Sequence, residues 1–294
     1  MTTGVEKKFI SYSLFKFLKG SSRTVAGRMM VVGGIILLVF IVFALFSPFI
    51  APYNPIKSVG KAFLPPSGHF WMGTDNLGRD MLSRVIYGAR IALAIAIISV
   101  VIAFAVGVPL GLISGYVGGL FDRVITMIMD SIYSFPGLIL AIAIAAMLGP
   151  GIVNIAVSIA VVYAPTYFRV VRNQVTSVKS HLFVEAARAL GADNKRILTK
   201  YILPNVMPSI AVIFSMNIAD AIMTEAGLSF LGLGITPPTP DWGYDLNNGQ
   251  RFLLQNYWWM VFFPGLAIVL IVLGFSMFGE GLNEYMNTSS GDRG

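Results

Sequence analysis

Six apolar runs, each close to bilayer-crossing length, dictate what this chain can fold into. They lie near residues 26–46, 91–113, 124–147, 152–171, 206–230 and 258–279. A helix needs about 20 mainly apolar residues to cross the hydrocarbon core. Spanning strands are shorter and alternate in polarity, so these runs are read as helices that satisfy their own backbone groups. Side-chain content agrees: 56% of residues are hydrophobic and 12% are charged, against about 25% charged in soluble domains. The 294 residues are therefore expected to form one all-α, polytopic membrane domain with six transmembrane helices.

The basic residues orient these spans. Lys57, Lys61, Arg79, Arg84, Arg90 and Arg251 fall on one side, and the other fifteen of the 21 Lys and Arg fall on the opposite side. Cytoplasmic loops carry the excess of such residues. Both termini are thus predicted to be cytoplasmic, in a multi-pass protein of the cell membrane. The net charge of +7 reads as attraction to anionic membrane lipid, with no nucleic acid as partner.

Residues 1–25 mix Phe9, Ile10, Leu14, Phe15, Phe17 and Leu18 with lysines and read as a cytoplasmic interfacial helix. No small-x-small site follows at signal-peptide distance, which argues against a cleaved leader. The first span is placed at 26–46. Residues 47–90 are read as an extracytoplasmic loop with Pro48, Pro52, Pro55, Pro65 and Pro66, ending in a short helix before the second span. A five-helix core follows over 91–280, then a cytoplasmic tail over 281–294. Trp258 and Trp259 stand where an aromatic belt anchors a span. The halves show no evident repeat, unlike many secondary transporters.

Residues 181–204 are polar and basic between two apolar spans. A first helix over 182–190 would end at Gly191, which suits a left-handed turn. Asp193 can cap a second helix over 194–201, with Pro204 near the start of the fifth span. Ala186 and Ala187 lack bulk, so another surface can approach them, and Glu185 and Arg188 can form ion pairs beside them. The residues alone leave two readings, an interaction surface and a solvated connector.

Charges at membrane depth are costly and face a bundle interior or a watery path. Asp130, Asp220 and Glu225 lie within spans and are candidates for a pathway or gate. Asn217 is three residues before Asp220, so it can share its face. Hydrogen bonding between helices is the competing role, favoured here for Asp220. Gly107, Gly111 and Gly115 permit close helix packing, read mainly as packing within the subunit. Pro109 and Pro136 can kink their spans.

Several chemistries find no support. The chain has no cysteine, and His69 and His181 are far apart, so no metal site is expected. There is no phosphate-binding G-x-x-x-x-G-K-[ST] loop and no catalytic cluster. The chain is read as a non-enzyme whose driving energy comes from elsewhere.

Three motifs resemble a known family. Glu185-Ala186-Ala187, then Gly191, then Leu203-Pro204 resemble the EAA loop of ABC importer permeases, with Tyr201 at the family's Ile position. Gly73-Thr74-Asp75, Gly78-Arg79-Asp80, Ser83-Arg84, Gly88 and Arg90 resemble the stretch before the second span in oligopeptide and dipeptide importers. Glu225-Ala226 and Leu228-Ser229-Phe230-Leu231-Gly232-Leu233-Gly234 resemble the exit of their fifth span. The chain is similar to the C-type permease of that group, which also includes nickel and oligosaccharide importers.

The resemblance implies a type I ABC importer permease fold and half of a translocation pathway for oligopeptides or dipeptides. It implies a second homologous permease, two ABC ATPases that carry ATP and Mg, and an extracytoplasmic substrate-binding protein. Glu185, Ala186, Ala187, Arg188 and Gly191 become ATPase-coupling residues, and this chain needs no cofactor of its own. Nickel or oligosaccharide cargo is the nearer alternative. The alternative of a different class is an ion-gradient-driven secondary transporter or channel, with Asp130 or Asp220 as its proton or cation site.

Overall fold

The structure, a computed structural model, describes residues 25–291, with side chains through residue 284. The interfacial helix read over residues 1–25 lies almost wholly outside the described residues. Nine principal helices follow one another: α1 (Val25–Ile50), α2 (Met81–Val117), α3 (Gly119–Tyr133), α4 (Gly137–Leu148), α5 (Ile152–Lys179), α6 (Leu182–Ala189), α7 (Leu203–Phe230), α8 (Trp242–Gln250) and α9 (Trp259–Gly291).

Five of the six expected spans are single helices, and the third is not. Helices α3 and α4 meet at a bend of 89°, where residues 124–147 were expected to run as one span. The break falls at Ser134-Phe135-Pro136. Pro136 has no N–H to donate, and its ring pushes Phe135 out of the helical region.

A bent pair could cross the membrane or turn back, and packing decides between them. A Cβ on Gly107 would stand 2.5 Å from the Ala164 carbonyl oxygen; on Gly111, 2.7 Å from that of Phe168; on Gly115, 2.8 Å from that of Arg172. Partner numbers rise together, so α2 and α5 run parallel, and the chain between them must return to its starting side. It does so along α5. Asp122 meets Arg172, Asp130 meets Arg169, and Asn154 donates to the Leu148 carbonyl. The residues of α5 between these contacts rise ~27 Å at 1.5 Å each, close to the ~30 Å hydrocarbon core. The pair is a broken span, and the total is six. The same three glycines are thus a seam within the subunit.

Helix α9 closes the bundle antiparallel to α1: Gly33 abuts Gly274 and Phe278, while Gly281 abuts Ala26 and Met30. It continues as helix to Gly291, so the expected tail begins as an extension of the last span. The second helix of the polar hairpin also differs from expectation. Residues 194–196 pass through a π-helical turn, Ile197–Ile202, straight into α7. Pro204 cannot donate to the carbonyl four residues back, and the wider turn accommodates its ring.

The loop 51–80 is a fixed cap. Asp75 accepts backbone N–H bonds from Leu77 and Arg79 at 2.8 Å and pairs with the Arg79 guanidinium at 2.5 Å. Asp80 caps α2 by accepting from the Ser83 backbone N–H at 2.8 Å and its hydroxyl at 2.6 Å. No separate short helix precedes the second span; α2 starts at Met81 and runs unbroken. Fully buried Arg84 holds Asp245 on α8 through Nη2 at 2.6 Å and Nε at 3.0 Å, and donates to the Pro55 carbonyl at 3.1 Å. Trp242 lies on Gly88, where no side chain fits, and donates to the Val85 carbonyl at 3.0 Å.

Candidate functional site

Helix α6 buries Val184 and Ala187 against the bundle, while Glu185, Ala186, Arg188 and Gly191 are exposed. Leu182 and Leu190 are 82% and 89% exposed. With Ala186 between them at four-residue spacing, they form one face of the helix. This is a shallow apolar notch with Glu185 and Arg188 at its edges. Neither charge is in an ion pair among the described residues. Gly191 ends the helix with φ +81° and nothing near its missing Cβ, so backbone conformation, not space, calls for glycine.

The hairpin is tied to the spans. The Tyr116 hydroxyl donates to Asn194 Oδ1 at 2.6 Å, and Lys179 donates to the Tyr116 carbonyl at 2.5 Å. Asp193 stands at the cap position of the second segment but makes no side-chain cap bond. Because that segment is continuous with α7, a displacement of the hairpin is transmitted directly into a span.

The intramembrane acids divide three ways. Asp130 accepts from Arg169 at 2.7 and 2.9 Å, and the Arg169 guanidinium lies 4.2 Å from the Tyr133 ring centre. Nearby, Asp122 holds Arg172 at 2.5 and 2.6 Å and the Ser114 hydroxyl. These two pairs strap α3 to α5. Arg169 stands near the end of the apolar run 152–171 and Arg172 just past it, on a helix that continues to Lys179.

Glu225 lies in the cap beside α8. It is 1% exposed, with the Ser229 hydroxyl 3.2 Å from its Oε1 and 2.9 Å from Asp241 Oδ2. Asp241 caps α8 by accepting from the Tyr244 N–H at 2.8 Å.

Asp220 and Asn217 line a pocket of about 380 Å³. Its other wall is the break between α3 and α4, including Tyr133, Phe135 and Leu138. Tyr163 and Thr166 of α5 complete it. The Tyr163 hydroxyl meets that of Thr224 at 2.9 Å. The Asn217 amide and the Tyr167 hydroxyl are buried and interact with each other, and neither makes a well-formed hydrogen bond.

Residues 107–289 match the family described as binding-protein-dependent transport system inner membrane component. Residues 25–66 match the N-terminal TM domain of oligopeptide transport permease C. The dipeptide transport system permease protein DppC of Alkalihalophilus pseudofirmus is 40% identical, covering 88% of this chain and 86% of that protein. The probable D,D-dipeptide transport system permease protein DdpC of Escherichia coli is 36% identical over 98% of this chain and 95% of its own length. The glutathione transport system permease protein GsiD of Pectobacterium atrosepticum is 40% identical, with coverages of 87% and 86%. Among solved structures, a chain of the inward-facing MetNI methionine ABC transporter matches with a TM-score of 0.53. It is 21% identical and covers 72% of this chain and 95% of that one, a likeness of fold.

Proposed function

We propose that this chain, which belongs to the family of binding-protein-dependent transport system inner membrane components, carries small peptides across the cell membrane. It is a transmembrane permease subunit of an ABC importer. A second, homologous permease supplies the other half of the pathway. Two ABC ATPases, which hold ATP and Mg, dock on the hairpins, and an extracytoplasmic binding protein delivers cargo. Relatives named for dipeptides, di/tripeptides and glutathione support peptides over nickel or oligosaccharides. Pairing of Asp130 with Arg169 removes one of the two acids that an ion-driven carrier would use.

The observation that carries the coupling role is the exposed Leu182–Ala186–Leu190 face on a helix tied into α7. Glu185 and Arg188 offer charges at its rim, and Gly191 sets its angle. Each ATPase cycle would move this hairpin between two positions and tilt α7 with it. The test is the double substitution Leu182→Asp and Leu190→Asp. Both side chains are exposed, so the fold should stand. Co-purification of ATPase and peptide uptake should both fall roughly tenfold or more, a loss of about 1.4 kcal/mol in docking. Undiminished ATPase recovery refutes the docking face, and a wild-type chain that brings no ATPase favours the ion-driven carrier.

The orientation has its own test. With α2 and α5 parallel, positive-inside counting puts the hairpin and both termini in the cytoplasm. Ser58 and Ser177 are exposed on opposite sides, in a chain without cysteine. A cysteine at position 58 should react with an impermeant maleimide in intact cells. One at position 177 should react only after permeabilisation, and its labelling in intact cells would reverse the topology.

A further inference from the structure

Asp220 differs from Asp122, Asp130 and Glu225. Asp122 and Asp130 hold arginines, and Glu225 is walled in beside Ser229 and Asp241. The Asp220 carboxylate has no hydrogen bond or ion pair among the described residues, and the residue is exposed on the pocket wall. One turn earlier, Asn217 lines the same pocket while 4% exposed, and its Nδ2, beside the buried Tyr167 hydroxyl, makes no well-formed hydrogen bond. A buried amide left unmet and a carboxylate left alone at membrane depth are both costly. Together they describe the missing ligand: a cation for Asp220 and an acceptor oxygen for Asn217. Among the described residues no Lys, Arg or His lines the pocket to supply that cation.

We propose that Asn217 and Asp220 form a subsite for the amino terminus of a peptide in transit, a deeper form of the peptide-importer reading on which it rests. Asp220 accepts hydrogen bonds from the free ammonium. Asn217 donates from Nδ2 to the carbonyl oxygen of the first peptide residue. Two side chains three positions apart share a helix face at ~4.5 Å of rise, near the ~3.5 Å spanned by one extended residue. The pocket is of a size that small ligands fill, on the order of 300–1,000 Å³. Tyr133 and Phe135 bring the break in the third span to the same pocket, so a change of that bend would reshape the subsite.

The experiment uses the complete importer, with second permease, ATPases and binding protein, in proteoliposomes. Radiolabelled Ala-Ala and Ala-Ala-Ala are the probes. Asp220→Asn should lower peptide uptake per ATP hydrolysed at least tenfold, and Asp220→Glu, which keeps the charge, should retain at least half. Uptake by Asp220→Asn at the wild-type ratio overturns the subsite while leaving the peptide reading intact. Failure of the wild-type importer to take up either probe overturns the peptide reading and the subsite with it. A second measurement is independent of how Asp220 variants assemble. p-Benzoylphenylalanine at position 166, on the pocket wall, should crosslink to labelled peptide during turnover. Crosslinks confined to the second permease would mean that a subunit contact, not cargo, covers Asp220, and would overturn the proposal.

Discussion

Arg84→Ala is expected to destabilise the cap formed by the loop 51–80 and α8 by about 3–5 kcal/mol, the cost of stripping one partner from a buried ion pair. Total stabilities run about 5–15 kcal/mol, so a large share of the stability should be lost. The reason is local. Asp245 is 4% exposed and would lose its hydrogen-bonded cation, so it must either carry its charge in a dry site or take up a proton, and each costs stability. The Pro55 carbonyl would lose a donor as well. Three pieces of chain far apart in sequence are joined here: the loop after α1, the start of α2 and helix α8. Thermal unfolding of purified protein measures the loss. The double substitution Arg84→Met and Asp245→Leu is the informative partner, because apolar residues can replace a buried pair at little cost. Recovery of most of the lost stability would identify the cost as uncompensated charge. A wild-type melting temperature for Arg84→Ala would remove the clamp altogether.

That clamp also marks where reading the sequence stops. Arg84 sits within a motif whose spacing was visible, but a motif names residues without naming what they touch. Arg84 and Asp245 are 161 positions apart, and no local period links them. The six spans were legible because bilayer thickness sets their length and composition alone betrays it. The glycine stripe at 107, 111 and 115 was legible as a close-packing face. Its partner, and the parallel direction that makes the broken third span a crossing, needed coordinates. Pro136 signalled a kink; an 89° bend is a tertiary outcome, set by what packs on either side.

The hairpin was half legible. Glycine at position 191 announced a left-handed turn, and the structure has one. The independent second helix did not materialise, because Pro204 is accommodated by a π turn rather than by a stop. Among the acids, depth was legible and partnership was not. Asp130, Asp220 and Glu225 look alike in a hydropathy trace. One is strapped to arginine, one is sealed in the cap, and one is left open on a pocket. The favoured packing role for Asp220 finds no partner for it within the described residues. The partner of Asp130 was not legible, since Arg169 is 39 positions away and no local period links the two.

Gly111→Leu should be strongly damaging to the packing of the spans. A Cβ at this position would lie 2.7 Å from the Phe168 carbonyl oxygen and 3.0 Å from the Val171 Cβ. The nearer of these is backbone, which no rotamer change can move. Accommodation therefore requires α2 and α5 to separate, and overpacking of this kind costs about 3 kcal/mol at the upper end of its usual range. Separation has a further consequence. The same seam positions Tyr116 against Asn194 and Lys179, so the hairpin would lose its anchor along with the bundle. Gly265→Ala is the matched control. A Cβ there would sit 3.6 Å from a Leu246 methyl, an ordinary contact, and alanine gains about 1 kcal/mol over glycine in a helix. The two substitutions should shift thermal stability in opposite directions, with ATPase recovery falling only for Gly111→Leu. Equal tolerance of both would mean that α2 and α5 do not pack through this stripe, and the parallel pairing that makes the broken helix a crossing would fall with it.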